Sequence, residues 1–367
     1  MKAKRKFRKR LFGLILIVFV MLLLSSPWTS RYLQRYLLSS DQEMFLYREV
    51  AIPYSGNWEI LSFSEGVMLL RNAEIRYFHG ESQYDWTLGT ENMDHVAAQN
   101  KERVSIMEKS PRYLLSMNEE GHMLYQQAVN RPIQWMISDQ NHHLLAQHPE
   151  EDGLMAFSVF DPQGRVMGSM ILPDAHLLTS SLDSSRDRVF LSFLEVGTEG
   201  YASVLAMYDL HGILVSSWSF PRQLIFGLEQ EGRNLSILMD DQLQVMTKER
   251  EVVAEQPIDP FYLKSHNGEA WILVHRQEEE EMQSRLRYLS ADGKDSREKE
   301  IAMNISGMDV NASSILVYNA RELKVFNNRL DLIAKHQLSR DIEKGFVLEN
   351  NLIVLQTRGE LLFYEMR

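Results

Sequence analysis

The chain has 367 residues, of which 44% are hydrophobic and 24% charged, and it contains no cysteine. This composition is typical of a folded globular protein, and the lack of cysteine excludes disulfides and a lipoprotein's lipid-modified cysteine. Seven of the 39 basic residues lie in the first ten positions, which contain no acidic residue. The remainder therefore carries 32 basic against 50 acidic side chains, a net charge of −18, which argues against a nucleic-acid partner.

The N-terminal region is predicted to anchor the chain in a membrane. Residues 1–10 are basic and residues 11–24 carry no charge, so the positive-inside rule places the start in the cytoplasm and everything after the span outside. Fourteen apolar residues are short for a span and are also typical of a cleaved signal peptide. However, the sequence LLLSSPWTS offers no small-x-small cleavage site, and Trp28 suits the far interface. We expect a single-pass signal-anchor over 11–28 and a juxtamembrane helix or stalk over 29–40.

Eight short apolar strand signals recur after this region. Consecutive signals end 37–48 residues apart, a period typical of four-stranded propeller blades. Each ends on a bulky apolar residue: Phe78, Met117, Phe160, Tyr208, Met246, Leu289, Phe326 and Tyr364.

Several of these strands are followed by the same kind of turn. The segments Asp161-Pro-Gln-Gly164, Asp209-Leu-His-Gly212 and Asn118-Glu-Glu-Gly121 follow at one offset, and Ser290-Ala-Asp-Gly293 is a variant. Asp and Asn bond their own backbone in turns and Gly accepts positive φ, so these segments predict hairpins to an outer strand.

The last repeat has no outer strand of its own, because only three residues follow Tyr364. The lone strand-like segment 45–53 is therefore predicted to pair with the last repeat and close the ring. We predict an all-β, eight-bladed propeller over 41–367, with seven blades as the alternative.

Motifs that would carry chemistry are scarce. The sequence has no phosphate-binding loop, dinucleotide fingerprint or nucleophile elbow. His142, His143 and His148 are the best metal candidates, but adjacent side chains on a hairpin face opposite ways and do not converge on one ion. We therefore predict no catalytic, cofactor-binding or metal-ligating residue. Five tryptophans in strand-like segments are expected to pack between blades: Trp58, Trp86, Trp135, Trp218 and Trp271.

Segments such as VLAMYDLHG and AFSVFDPQG resemble the repeat units of the quinoprotein-like propeller superfamily. With the basic start, one span and a cysteine-free ring, the chain resembles a family of membrane-anchored propellers of Gram-positive, Clostridia-type bacteria. This resemblance implies a fold and no assigned activity. Catalytic superfamily members bind pyrroloquinoline quinone with calcium and often a vicinal disulfide, and none of those features carries over to this sequence.

Two functions follow as expectations. The first is an extracytoplasmic scaffold that binds a protein partner of the cell envelope, favoured because the catalytic motifs are absent. The second is an enzyme or binding protein for cell-wall glycans or polymers, with acidic or His side chains converging at the central channel. The sequence does not identify a small-molecule ligand.

Overall fold

The computed structural model shows an all-β ring of eight four-stranded antiparallel sheets. The eight-bladed prediction is confirmed, and the seven-bladed alternative is wrong. The structure describes residues 42–367 except 54–58, 72–73, 90–94, 101, 110–111, 150, 174–175, 199, 248–250, 277–282 and 350–351.

The predicted cytoplasmic segment (1–10), signal-anchor (11–28) and juxtamembrane segment (29–40) lie outside the described residues. Within the described part of the chain, no helix is long and apolar enough to span a membrane.

The first strand, β1 (Met44–Ala51), precedes the first complete blade. The strands of blades one to four follow in chain order: β2 (Glu59–Phe63), β3 (Gly66–Arg71), β4 (Glu74–His79) and β5 (Trp86–Gly89); β6 (His95–Gln99), β7 (Val104–Lys109), β8 (Arg112–Met117) and β9 (Met123–Ala128); β10 (Trp135–Ser138), β11 (Leu144–Gln147), β12 (Leu154–Phe160) and β13 (Val166–Pro173); β14 (His176–Asp183), β15 (Arg188–Gly197), β16 (Gly200–Tyr208) and β17 (Leu214–Pro221). Short 3₁₀ turns lie at Ser82–Tyr84 and Ser184–Arg186.

Blades five to eight continue the same pattern. Their strands are β18 (Ile225–Glu231), β19 (Asn234–Met239), β20 (Gln242–Thr247) and β21 (Val252–Pro257); β22 (Leu263–His266), β23 (Ala270–Arg276), β24 (Ser284–Ser290) and β25 (Ser296–Ile301); β26 (Gly307–Val310), β27 (Ser314–Tyr318), β28 (Glu322–Asn327) and β29 (Leu332–Gln337); β30 (Ile342–Val347), β31 (Leu352–Thr357) and β32 (Glu360–Met366).

Every predicted apolar signal lies in the third strand of a blade, and the predicted turns connect that strand to the outer one. In the turn after β12, the Asp161 side chain accepts hydrogen bonds from the backbone N–H groups of Gln163 and Arg165, both at 2.9 Å. Gly164 adopts a φ of 78°, which a side chain would strain. The turn chemistry predicted from sequence therefore positions the outer strands.

Strand β1 closes the ring as predicted. It pairs antiparallel with β32, Met44 opposite Met366 and Ala51 opposite Glu360, and so supplies the outer strand of blade eight. Arg48 of β1 also forms an ion pair with Asp85 of blade one. The closing strand therefore ties the last blade to the first.

The core is divided among the blade interfaces. Each of the eight interfaces between neighbouring blades contains one cluster of buried apolar side chains from the described residues. The second strands are mostly apolar because both of their faces are covered over most of their length; β3, for example, is buried from Gly66 to Leu70.

The order of strands gives the ring two distinct faces. The first strand of each blade is innermost, and first strands contact one another in turn from blade two to blade five and from blade six to blade eight, so these strands surround the central channel. Because strands alternate in direction, the first-to-second and third-to-fourth turns share one face, which we name the C–D face. The opposite face carries the second-to-third turns. Strand β1 begins at the C–D face, where Glu43 and Arg367 exchange two backbone hydrogen bonds of 3.0 Å.

Candidate functional site

The three histidines considered as metal ligands do not converge. His142 and His143 lie in the turn between β10 and β11, whereas His148 follows β11. His148 is buried, with Nδ1 2.8 Å from the carbonyl oxygen of Pro132 and Nε2 2.8 Å from the hydroxyl of Ser158. Both of its ring nitrogens are thus engaged. Across the described residues, no three His, Asp or Glu side chains are placed to hold a metal ion.

A cluster of titratable side chains does form between blades five and six, on the inner strands near the C–D face. It consists of Glu229 on β18 with Lys264 and His266 on β22. The Glu229 Oε1 atom lies 3.5 Å from Nδ1 of His266. Lys264 donates a hydrogen bond to the backbone carbonyl of Phe226. We name these three side chains the channel cluster.

Trp271 packs against the channel cluster. Its ring centroid lies 4.7 Å from that of His266, and the Lys264 amine lies 5.9 Å from the indole centroid. The indole is buried and donates a 3.0 Å hydrogen bond to Ser236. Gly227 makes room for it, because a Cβ atom there would lie 2.3 Å from Trp271 Cη2. The interblade packing expected of the tryptophans is therefore confirmed for Trp271.

The surroundings shift all three titratable groups toward their neutral forms. Desolvation raises the pKa of Glu229 to about 7, with the charge of Lys264 opposing the shift. Desolvation also lowers the pKa of His266 to about 4 and lowers the pKa of Lys264. The Glu229 side chain is 39% exposed, so water reaches the carboxyl even though the walls of two blades surround it.

The cluster is therefore suited to holding a proton rather than an ion pair. His266 is neutral at pH 7, and its Nδ1 accepts a 3.1 Å hydrogen bond from the backbone N–H of Gly268. With a pKa of about 7, Glu229 holds a proton in about half of the molecules at neutral pH. Nε2 of His266 is buried and has no hydrogen-bond partner among the described residues. A ligand acceptor that enters the channel could take this N–H.

A second carboxyl of an inner strand has a structural role. Asp309 on β26 accepts a 2.8 Å hydrogen bond from the backbone N–H of Val347 on β30. Desolvation raises its pKa to about 6. Asn311, two residues on, donates a 2.7 Å hydrogen bond to the carbonyl of Leu348. These two side chains fasten blade seven to blade eight.

Exposed apolar side chains form a band along the outside of the ring, next to the C–D face. They lie at or beside the start of the outer strands of blades two to five, and each is 44–65% exposed. We name this set the apolar rim: Met123, Leu124, Val166, Ile213, Leu214, Val215, Val252 and Val253. The outer strand of blade six, in contrast, begins with Ser296 and Arg297. Exposed large apolar side chains that recur at one edge of neighbouring blades are candidates for an interaction site.

No local sequence pattern predicts the channel cluster or the apolar rim. Glu229 and His266 are 37 residues apart, which is one repeat, so equivalent positions of neighbouring blades meet in space. That spacing was the available signal. The rim has a signal of its own, since Met123, Val166, Leu214 and Val252 each begin an outer strand. An alternating strand should expose only every second side chain, whereas Ile213, Leu214 and Val215 are all exposed.

The chain belongs to the family of unknown function DUF5711, whose model matches residues 46–360. No curated protein matches its sequence. Among solved structures it is similar to BamB from Moraxella catarrhalis, with 12% identity, a TM-score of 0.53 and coverage of 88% of this chain and 100% of that one. It is also similar to the C-terminal WD40 domain of Sif2, with 13% identity, a TM-score of 0.59 and coverage of 88% and 98%. At such identities these likenesses show the propeller fold alone.

Proposed function

We propose that this member of the DUF5711 family is a membrane-anchored propeller of the cell envelope whose ring binds a protein partner through the apolar rim. The rim is the observation that supports this function. It places eight large apolar side chains in water on four consecutive blades, although the interfaces between these blades already have buried apolar clusters. Large exposed apolar patches on soluble proteins often mark interaction sites, and the rim supplies the side chains for one.

The anchor fits this function geometrically. If residues 11–28 span the membrane, 13 residues separate the span from residue 42, where the described ring begins. A chain of that length reaches at most about 50 Å when fully extended. The chain enters at the C–D face, so the anchor would hold the apolar rim close to the membrane, within reach of other membrane-bound proteins.

Charge favours a protein over the lipid surface as the occupant of the rim. Beyond its first ten residues the chain carries a net charge of −18, and anionic headgroups repel such a body. A partner with an apolar patch and a basic surround would complement both the rim and this charge. We also propose that the protein comes from a Gram-positive bacterium, and the cysteine-free sequence is in keeping with that source.

Site-specific photocrosslinking in cells tests this function on the full-length chain. We would place benzoyl-phenylalanine at Leu214 or Val252 on the rim, with Val196 as the matched control. Val196 is 74% exposed and lies in the same blade as Leu214, but on the hairpin of the opposite face. We expect one reproducible protein adduct from both rim positions and none from Val196. Lipid adducts alone, or equal capture from Val196, would show that the rim does not bind a protein partner.

A second candidate function is binding or cleavage of cell-wall glycans at the central channel. The Glu229 carboxyl favours it, because a carboxyl with a pKa of about 7 suits a general acid. The test incubates the full-length protein with purified wall polymers and measures released fragments and retained polymer. Glu229→Gln should abolish either effect, whereas Glu255→Gln on the outer strand β21 should not. Equal behaviour of the two variants would exclude the channel cluster from this role.

A further inference from the structure

A cavity of about 450 Å³ lies between blades four and five. Phe190, Leu205 and Met207 of blade four and Leu235 of blade five form its apolar wall, and the indole of Trp218 borders it. All five side chains belong to the apolar cluster of this interface or pack against it. The cavity is thus a gap within an interblade core rather than a groove on the surface, and its volume is within the range of small-molecule sites.

The mouth of the cavity is basic. Arg186 and Arg188 of blade four and Arg233 of blade five border it, all in or next to first-to-second turns, so it opens toward the C–D face. Arg186 is paired with Asp183. Arg233 is exposed and has no ion-pair partner within the described part of the chain. Arg188 donates one 2.8 Å hydrogen bond from its guanidinium to the carbonyl of Asp187, and its other N–H groups remain for a ligand together with those of Arg233.

Inside the mouth, one buried polar atom faces no protein partner. The side-chain amide of Gln230 borders the cavity, and its Nε2 atom is buried without a hydrogen-bond partner among the described residues. An amide N–H buried in this way costs about 1–3 kcal/mol unless something accepts from it. Glu229, its neighbour on β18, instead lies against His266 of blade six. The cavity and the channel cluster are therefore separate sites on the two faces of one strand.

We propose that this cavity binds an amphiphile that has a carboxylate or phosphate head and an apolar chain or ring system. Arg188 and Arg233 hold the anionic head through charge-assisted hydrogen bonds. Gln230 donates to a head-group oxygen just inside the mouth. The apolar body fills the space between Phe190, Leu205 and their neighbours, and its transfer from water supplies most of the affinity. This site goes beyond the scaffold function and does not depend on it.

The charges of the ring support an anionic ligand rather than a neutral one. Residues 41–367 carry 30 basic against 50 acidic side chains, a net charge of −20, yet arginines from two different blades border this apolar cavity. A neutral ligand would use the apolar wall equally well but would give the two guanidinium groups no anionic acceptor. Selectivity for an anionic head is thus the property that distinguishes a built site from a packing defect.

Photolabelling of the full-length chain in phosphatidylcholine nanodiscs tests the proposal. The probe is dodecanoic acid with a diazirine on its chain, and the labelled peptides are identified by mass spectrometry. We expect labels in β15, β16 and β19, suppressed by unlabelled dodecanoate or dodecyl phosphate but not by dodecanol. Replacing the phosphatidylcholine with phosphatidylglycerol distinguishes an anionic lipid of the bilayer from a free amphiphile as the natural ligand. Suppression would identify a bilayer lipid as the ligand, and unchanged labelling would identify a free amphiphile.

Variants connect the labels to the cavity. Arg188→Ala/Arg233→Ala should weaken labelling at least about tenfold, and Gln230→Leu, which keeps the volume but removes the donor, about threefold. Arg112→Ala, a change at an exposed arginine of blade two, is the control and should leave labelling unchanged. Thermal melting identifies any variant that fails to fold, and Arg188→Gln/Arg233→Gln would then replace the double alanine variant. Competition by dodecanol as strong as by dodecanoate, absence of label from the cavity strands, or unaltered labelling in the arginine variants would overturn the proposal.

Discussion

Replacing Gly227 with alanine tests the packing that supports the channel cluster. The added Cβ would lie 2.3 Å from Cη2 and 2.7 Å from Cζ3 of Trp271, well inside van der Waals contact. The indole cannot yield freely, because it is 3% exposed and bonded to the buried hydroxyl of Ser236. In the Gly227→Ala variant, we expect the added methyl group either to displace the indole or to push blade six away from blade five.

The cost follows from two effects. Overpacking of a filled core costs about 1–3 kcal/mol, and losing the bond to Ser236 adds about 1 kcal/mol. The free energy of unfolding should therefore fall by about 2–4 kcal/mol. Both clashing atoms belong to the outer, six-membered ring of the indole. The shorter side chain of phenylalanine has no atoms that far from the backbone. In a Trp271→Phe background, Gly227→Ala should therefore cost much less, with a coupling energy of about 1–3 kcal/mol.

Urea unfolding of the full-length chain, followed by circular dichroism, measures all four members of this cycle. Gly89→Ala is the matched control, since a Cβ atom there would meet nothing within 4 Å. That variant should lie within about 0.5 kcal/mol of the parent. If Gly227→Ala proved as harmless as Gly89→Ala, or if the cycle were additive, the close approach of blades five and six would be refuted.

Three further predictions concern links between blades and pH. Asn311→Ala should lower the free energy of unfolding in urea by about 2–4 kcal/mol. The side chain donates a hydrogen bond to a carbonyl of blade eight, and its oxygen accepts two from backbone N–H groups of its own turn. Asn311→Asp, which loses only the donor, should cost about half as much. Arg48→Met should cost about 2–3 kcal/mol by leaving Asp85 unpaired, whereas Arg340→Met, a change at an exposed pair, should cost under about 1 kcal/mol; equal losses would contradict a role of Arg48 in ring closure. The raised pKa of Asp309, about 6 against its ordinary 3.8, means that the folded chain holds this proton more tightly than the unfolded chain. Its contribution to stability is full below about pH 4 and is lost as pH rises through 6, so Asp309→Asn should flatten that fall in Tm; the same pH profile in both proteins would disprove it.

The repeat was predictable from sequence because its third strands are apolar and each is followed by a turn with its own chemistry. Phe160 ends such a strand, and Asp161 and Gly164 form the turn after it. The inner strands gave no comparable signal. Those at Trp135–Ser138 and Gly307–Val310 have only four residues and do not alternate clearly.

The sites were harder to predict because each is assembled from two blades. Arg188 and Arg233 are 45 residues apart, and Glu229 and His266 are 37 apart, so no local pattern joins them. Once the repeats are aligned, residues about one repeat apart are expected to be neighbours in the ring. A search for polar residues at that spacing would find both pairs. Their burial and pKa shifts depend on packing between blades, which composition and spacing do not determine.

Ring closure by β1 has a consequence for biosynthesis. Met44 emerges from the ribosome more than 300 residues before its partner Met366, an interval of about 15–65 s at 5–20 residues per second. Throughout that time the first strand has no neighbour, and the growing ring presents an open edge. The last blade can be completed only after Met366 has been synthesised. An unpaired edge is a template for pairing with another chain, so the nascent ring is exposed to intermolecular strand pairing until Met366 has joined its partner.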